Sequence, residues 1–130
     1  MSTGQIVASQ SQTTVFLPNI ILDETSYSSW LYSQENFLKS LNLLGYVDGT
    51  TPCPPQFVQS ADGTSSVPND EYLKWKTQDR NIMNMIGQTL SSMAMKSVVD
   101  SKTSKELWEN LRMKFAAPNR QNILQLKSNL

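Results

Sequence analysis

Apolar side chains recur at helical spacing in separate stretches of the chain, with polar residues between them. The first stretch follows Ser26, Ser28 or Ser29, each of which could cap a helix by accepting a hydrogen bond from a first-turn amide. We expect Gly45 to end this helix, because glycine adopts the left-handed conformation found after many helices. The positions that fall on its inner face are Trp30, Gln34, Phe37, Leu38, Leu41 and Leu44.

A second helix is predicted from Asn69, a capping residue followed by Asp70 and Glu71 at the positive end of the helix dipole. Ser91-Ser92 interrupts the apolar pattern and ends this helix. One polar residue, the aspartate, interrupts an otherwise apolar inner stripe that consists of Tyr72, Trp75, Asp79, Ile82, Met83, Ile86 and Leu90.

Three further helices are predicted in the remainder of the chain. A short one covers Met93–Val99. The next begins at Thr103-Ser-Lys-Glu106, a capping box, and carries an apolar face. Beyond Pro118, residues 119–127 form a fifth helical pattern that reaches the chain end without a cap. The inner face of the fourth helix consists of Leu107, Trp108, Leu111 and Phe115.

Between the first two helices lies a segment too rich in proline and glycine for a helix, from Tyr46 to about Asn69. Asp48-Gly49 predicts a tight turn, Pro52–Pro55 an extended segment, and Gln59–Val67 a polar, mobile loop. Near the N-terminus, the Ser, Thr and Gln content of residues 1–14 predicts a disordered tail. Val15–Leu22 is short, apolar and broken by proline, which indicates an extended segment or a short strand.

These elements predict an all-α fold, a small bundle of about five helices with a long Pro/Gly-containing loop between helices one and two. We expect one helical domain over residues 15–130, whose C-terminal end is truncated because the fifth helix stops uncapped. The predicted core residues are Trp30, Phe37, Leu41, Trp75, Ile82, Ile86, Leu107, Trp108, Leu111 and Phe115.

The net charge of zero conceals an asymmetry between the two parts of the chain. From Lys96 onward there are seven basic and three acidic residues, whereas the preceding residues contain four basic and eight acidic ones. A basic end can attract nucleic acid, but interspersed acids are more typical of a solvated helix face. The residues that would contact nucleic acid are Lys102, Lys105, Arg112, Lys114, Arg120 and Lys127.

The chain lacks the residue patterns of catalysis. It contains no histidine, no phosphate-binding loop and no dinucleotide fingerprint, and a lone cysteine lies between prolines with no base beside it. We therefore expect no enzyme, no cofactor, no metal site and no small-molecule substrate. Glu35, Asp79, Glu106 and Glu109 fall on different helices or faces and do not predict a paired-carboxylate site.

The chain has no apolar run of membrane-spanning length and no signal peptide, which favours the cytoplasm, with the nucleus as an alternative.

The three tryptophans are best explained as packing anchors of the core, and base stacking on RNA is the more specific alternative. Met85 and Met113 fall off the predicted inner stripes, so with Arg112 they are candidates for self-association, as is the loop from Cys53 to Pro68.

Four ordered motifs connect the chain to a known family. They are L-D-E-T-x-Y-x-x-W at 22–30, G-Y-V-D-G-x-x-P-C-P-P at 45–55, W-K-x-Q-D at 75–79 and T-S-K-E-L-W at 103–108. Together they closely resemble the N-terminal Gag region of plant Copia-type LTR retrotransposon polyproteins, from about Phe16 to Leu130. In that family the Pro-Cys-Pro-Pro segment belongs to a linker and not to a catalytic site.

The resemblance implies a capsid-like helical lobe that self-associates into virus-like particles around the element's RNA. Its implied partners are other Gag chains and, weakly, RNA; no membrane is implied. The Cys/His zinc knuckle that many such proteins carry is absent, because the chain has no histidine. Two alternatives stay open: a nucleic-acid-binding module that uses the basic C-terminal helices, and a domesticated Gag-derived adaptor that binds a partner peptide.

Overall fold

A computed structural model describes residues 18–116 and, as backbone strands, the segments 5–8 and 13–16. The strands β1 (Gln5–Ala8) and β2 (Thr13–Phe16) pair antiparallel, with Gln5 opposite Phe16 and Ala8 opposite Thr13. They fall partly inside the tail of residues 1–14 for which the sequence predicts disorder. The rest of that tail lies outside the described residues, so its disorder stays a prediction.

Helix α1 (Tyr27–Ser40) buries the predicted face through Trp30, Gln34, Phe37 and Leu38. Its end differs from the prediction, because Asn42 and not Gly45 takes the left-handed conformation, with φ of 59°. The Leu43 amide donates to the Leu38 carbonyl at 2.8 Å and the Asn42 amide to the Lys39 carbonyl at 3.0 Å. Asparagine tolerates this conformation better than other non-glycine residues, so this Schellman motif ends the helix before Leu41 and Leu44.

The start of α1 agrees with the prediction in position, because Ser26 is the N-cap residue, but the Ser26 hydroxyl makes no capping bond. It donates instead to the Ile21 carbonyl at 2.8 Å and accepts from the Asp23 amide at 2.9 Å. The Ser26 side chain therefore closes the turn that precedes the helix.

A short helix, α2 (Leu44–Asp48), occupies the start of the segment that was predicted to hold no helix. Gly49 ends it with φ of 88°, in agreement with the predicted turn at Asp48-Gly49. Gly45 lies inside this helix, where an added Cβ would collide with the Thr51 side chain. The glycine is needed for a close approach of the following loop, and not for helix termination.

A β-hairpin occupies the segment predicted to be a polar, mobile loop; the mobility stays a prediction. Strands β3 (Phe57–Gln59) and β4 (Ser66–Pro68) pair antiparallel, with Val58 opposite Val67. In the turn, the Asp62 carboxylate accepts from the Ser60 hydroxyl at 2.6 Å, the Thr64 hydroxyl at 2.7 Å and the Thr64 amide at 3.0 Å. Short polar side chains that bond the local backbone order this segment, although their composition is that of a loop.

Helix α3 (Asp70–Gly87) begins as predicted, with the Asn69 side chain accepting from the Glu71 amide at 3.1 Å. Helix α4 (Ser92–Lys96) is shorter than the predicted Met93–Val99 and starts at a Ser91 cap that accepts from the Ala94 amide. The polypeptide turns after Lys96, so Val98 and Val99 lie in a turn between α4 and the next helix.

Helix α5 (Ser104–Phe115) has the predicted Thr103 cap, which accepts from the Glu106 amide at 3.1 Å. The return bond of the capping box is shifted by one residue, because Glu106 accepts from the Lys102 amide at 3.3 Å. The predicted helix over 119–127 lies outside the described residues. Within the part that is described, five helices and two small antiparallel sheets make the protein mainly helical, and not all-α.

The core lies between α1, α3 and α5, closed at one end by α2. Its fully enclosed members include Leu38, Ile82, Ile86 and Leu111. The segment before α1 is tied to this core, since the Leu22 amide donates to the Thr89 carbonyl at 2.7 Å and the Ser91 amide to the Leu22 carbonyl at 3.0 Å. Leu22 is completely buried, so the chain before α1 is an integral part of the bundle.

Candidate interaction surface

The tryptophans predicted to share one core are divided between two clusters. Trp30 and Trp108 lie 5.6 Å apart between ring centroids, and Tyr27 stacks on Trp30 at 5.9 Å and on Phe115 at 6.3 Å. Trp75 is buried elsewhere, 5.3 Å from Tyr46, and its indole N–H donates to the Thr51 carbonyl at 2.9 Å. Trp30 and Trp108 therefore anchor the bundle, whereas Trp75 fastens the loop after α2 to α3.

The remaining predicted core residues lie as follows. Phe37, Ile82, Ile86, Leu107, Leu111 and Phe115 are buried. Leu41 and Trp108 are half-buried and pack against the buried cluster. The predicted inner faces of α1, α3 and α5 thus meet in one core, although Leu41 does so from the helix end.

Asp79, the polar residue in the inner stripe of α3, holds the first turn of α5. Its carboxylate is buried and accepts from the Ser104 amide at 3.2 Å and from the Ser104 hydroxyl. A carboxylate at this position satisfies an amide that has no partner within α5 and faces the positive end of the helix dipole. The role of Asp79 is therefore to join two helices.

The other candidate carboxylates do not converge on a reaction site. Glu109 binds Arg112 on the surface of α5, and Glu106 accepts from Lys102. Over the residues that the structure describes, no three His, Cys, Asp or Glu side chains are grouped so as to hold a metal ion. Cys53 is exposed, and its thiol donates only to the neighbouring Pro54 carbonyl at 3.4 Å.

The acidic groups with shifted pKa values lie in exposed turns, not in a cleft. Hydrogen bonds from Ser60 and Thr64 lower the pKa of Asp62 to about 2. Bonds from Thr25 lower the pKa of Asp23, and bonds from Thr50 lower that of Asp48. Each carboxylate stabilises its own turn, which is a structural and not a catalytic role.

The basic residues proposed for nucleic acid do not form one patch. Lys105 and Lys114 are nine residues apart on α5, which places them about 180° apart around the helix axis. Arg112 is paired with Glu109 at 3.0 Å. Lys102 precedes the helix and is exposed; Arg120 and Lys127 lie outside the described residues. Lys105 and Arg112, seven residues apart, therefore share one side of α5, whereas Lys114 lies on the opposite side.

The three residues proposed for self-association have different surroundings. Met113 is 62% exposed and lies on the outer face of α5. Arg112, next to it, is exposed but engaged with Glu109. Met85 is half-buried and packs against the core, so it offers little surface to a partner. Of the proposed set, Met113 is the exposed apolar side chain.

A larger apolar surface lies on another side of the bundle. An open groove of about 660 Å3 runs between α3 and the α4 region, with Gly87, Met95 and Val99 among its lining residues. Val99 is 66% exposed and Met95 is 37% exposed. At Gly87 an added Cβ would make an ordinary contact of 3.7 Å with the terminal methyl group of Met95, so this position of the groove has room for alanine.

The outer stripe of α3 extends this surface. Leu73, Arg80 and Asn84 follow at spacings of seven and four residues, which places them along one side of the helix. Leu73 is 54% exposed, while Arg80 and Asn84 line the groove. We call this surface the α3–α4 face and define it by Leu73, Arg80, Met83, Gly87, Met95 and Val99.

Sequence reasoning missed the α3–α4 face because it treated Val99 as part of a helix. In a helix over Met93–Val99, helical periodicity would set the directions of the Val98 and Val99 side chains. The chain instead turns after Lys96, so both residues lie in that turn. No local signal in the sequence marks this face, because its two sides, α3 and the residues around α4, meet only in the folded chain.

None of the described helices is long and apolar enough to cross a membrane. The sequence model described as "gag-polypeptide of LTR copia-type" matches residues 34–130, and a second with the same description matches residues 10–55. No solved structure matches.

Two curated polyproteins of Arabidopsis thaliana are similar to the chain. The Retrovirus-related Pol polyprotein from transposon RE2 is 32% identical over 82% of the chain, and that from transposon RE1 is 30% identical over 84%. The chain spans only 7% of the length of each. Because a Gag model covers well over half of it, the chain belongs to the Gag polypeptides of Copia-type LTR retrotransposons.

Proposed function

We propose that this protein is a capsid-like Gag domain that self-associates, without catalysis, into particles around the RNA of its element. The observation that carries the proposal is the α3–α4 face, where Met95 and Val99 expose apolar side chains at an open groove and Leu73 exposes another, two turns along α3 from Arg80. Exposed apolar side chains grouped on one face are typical of protein-binding sites. The family supplies the kind of partner, which is another Gag chain.

Assembly requires only weak contacts of this kind. In a closed or repeating assembly, symmetry repeats each interface, so a small apolar patch with a polar rim contributes many times. Arg80 supplies a polar edge to the groove. Met113, on the outer face of α5, is available as a second contact in a different direction, which a lattice of copies needs and a simple dimer does not.

RNA belongs to the proposal as cargo, with Lys102, Lys105, Arg112 and Lys114 as the basic candidates among the described residues. Because Lys114 lies opposite Lys105 on α5 and Arg112 is paired with Glu109, weak, sequence-independent attraction is favoured over a shaped binding site. The adaptor alternative uses the same groove to bind a peptide of a different protein. It differs from the main proposal in one respect: the purified domain would then not bind itself.

Light scattering after size exclusion tests the proposal across a range of protein concentrations. We expect the mean mass of the chain to rise above that of a monomer as concentration increases. A Val99→Asp substitution should weaken this association roughly tenfold or more, because it places an unpaired charge in the contact. Met113→Asp should reduce the mass reached at high concentration, by removing the second contact.

Tyr32→Asp is the matched control, since Tyr32 is 73% exposed on α1 and lies outside the proposed contacts. It should leave the concentration dependence unchanged. A chain that stays monomeric at the highest concentration contradicts the proposal and leaves the adaptor as the better account. Association that Tyr32→Asp weakens as much as Val99→Asp would contradict the placement on the α3–α4 face.

A further inference from the structure

The segment Pro52-Cys53-Pro54-Pro55 has a backbone conformation restricted by its covalent structure. Each proline ring holds φ near −65°, and each residue before a proline is directed to the extended or polyproline II region. Thr51, Cys53 and Pro54 are all in that position. Three prolines in four residues therefore favour the left-handed polyproline II helix over other conformations.

The folded domain presents this segment on its surface. Pro52, Cys53 and Pro55 are exposed and Pro54 is half-buried. No hydrogen bond from the described residues reaches the carbonyl oxygens of Pro52 or Cys53. These groups are therefore accessible to donors on another protein, as polyproline II ligands require.

Both ends of the segment are attached to helix α3. The Trp75 indole N–H donates to the Thr51 carbonyl at 2.9 Å, and the Asn69 side-chain amide donates to the Pro55 carbonyl at 2.8 Å. The Asn69 backbone amide also donates to the Gln56 carbonyl at 3.0 Å. The segment is held in place before any partner arrives, which reduces the conformational entropy lost on binding.

The spacing of the exposed prolines matches the repeat of the polyproline II helix. That helix has three residues per turn, so Pro52 and Pro55 lie on the same edge, about 9 Å apart. Pro54, on a different edge, is the one that is partly covered. The domain thus turns a P-x-x-P edge outward and keeps another edge against itself.

We propose that Pro52–Pro55 is a preformed polyproline II ligand for a protein with an aromatic-lined, uncharged groove. Such grooves, of which the WW domain is one type, bind P-x-x-P edges through aromatic side chains. The sequence contains no charged residue between Asp48 and Asp62, so the residues that flank the prolines along the chain carry no charge for an acidic or basic pocket beside the groove. This contact lies outside the α3–α4 face.

The test uses the full chain and isolated domains of three kinds, WW, SH3 and EVH1, each labelled with nitrogen-15. Nuclear magnetic resonance then follows the amide shifts of each labelled domain as unlabelled chain is added up to about 1 mM. We expect WW domains to bind through their aromatic groove. In the double variant Pro52→Ala/Pro55→Ala, affinity should fall about tenfold or more, since the edge and its preorganisation are both lost.

Pro68→Ala is the matched control, because Pro68 is an exposed proline in β4, outside the segment; it should bind as the unaltered chain does. Circular dichroism checks that each variant keeps its helices, and the single variant Pro52→Ala serves if the double variant loses them. Binding by none of the three domain kinds overturns the proposal. Equal binding by Pro52→Ala and the unaltered chain also overturns it, and binding by SH3 domains alone contradicts the uncharged groove.

Discussion

The indole N–H of Trp30 donates to the hydroxyl oxygen of Thr89 at 2.9 Å, between residues that are 59 positions apart in the chain. The same oxygen accepts from the Gln34 side-chain amide at 3.2 Å, and the hydroxyl donates to the Ile86 carbonyl at 2.6 Å. All of these groups are buried, and no buried side-chain polar atom among the described residues lacks a partner. The Thr89 hydroxyl thus provides the acceptor for two buried side-chain donors of α1.

Replacing Thr89 with valine should destabilise the domain by about 2–4 kcal/mol, because two buried donors lose their acceptor while the side-chain volume is nearly unchanged. Equilibrium unfolding in urea measures the change. Thr77→Val, on the exposed side of α3, is the matched control and should change the free energy of unfolding by less than about 0.5 kcal/mol. Equal effects of the two substitutions would show that the hydrogen bonds from Trp30 and Gln34 to Thr89 do not stabilise the domain.

Asp79→Leu should cost about 2 kcal/mol or more, because the first turn of α5 loses the acceptor for the Ser104 amide and hydroxyl. Asp79→Asn should cost less, since an amide oxygen can still accept one of these bonds. Thermal unfolding by circular dichroism ranks the two variants against Asp100→Asn, an exposed control. If Asp79→Leu is as stable as the unaltered chain, the proposed connection between α3 and α5 is wrong.

The pKa of Asp62, lowered to about 2 by hydrogen bonds from Ser60 and Thr64, predicts a pH dependence of the β3–β4 hairpin. Because the folded-state pKa is below the ordinary value of 3.8, the ionised form favours the hairpin. This contribution is complete above the ordinary pKa and is lost as pH falls through about 2.

Carbon-detected nuclear magnetic resonance can follow the Asp62 carboxyl directly as the pH is lowered. Its midpoint should lie near 2 in the unaltered chain and move up toward the ordinary value in Thr64→Ala, which removes one of the hydroxyl donors. Thr77→Ala should leave the midpoint in place. A midpoint that Thr64→Ala does not change would contradict the hydrogen-bonded turn.

Cys53→Ser should leave the stability unchanged to within about 0.5 kcal/mol, because the thiol is exposed and makes one contact with its own neighbour. Self-association should also be unchanged. Urea unfolding and light scattering measure these two properties. A large loss of either would show that the cysteine has a role beyond the loop.

The helical part of the fold follows from local sequence signals that the structure satisfies. Asn69 and Thr103 cap their helices with short side-chain acceptors, and the inner stripe of α3 follows a 3.6-residue period. These interactions extend over three or four residues, so the sequence displays them directly. Even Asp79 was visible as a polar residue in an apolar stripe, although its partner Ser104 was not.

The elements that the sequence did not predict have local and tertiary causes. Asn42 ends α1 through a local Schellman motif, and the β3–β4 hairpin depends on a local hydrogen-bonded turn around Asp62, which composition alone presents as a mobile loop. Gly45 is needed instead where Thr51, 6 residues later in the chain, passes close to it. The α3–α4 face required the placement of Val99 beside α3, a contact between residues distant in sequence.

Methyl shifts of the chain, recorded by nuclear magnetic resonance as its concentration is raised, test self-association through the α3–α4 face most directly. We predict concentration-dependent shifts at Leu73, Met95 and Val99, on that face, and none at Val47, a buried residue of α2. Methyl shifts that stay constant at all concentrations, or that change only away from this face, would contradict self-association through it.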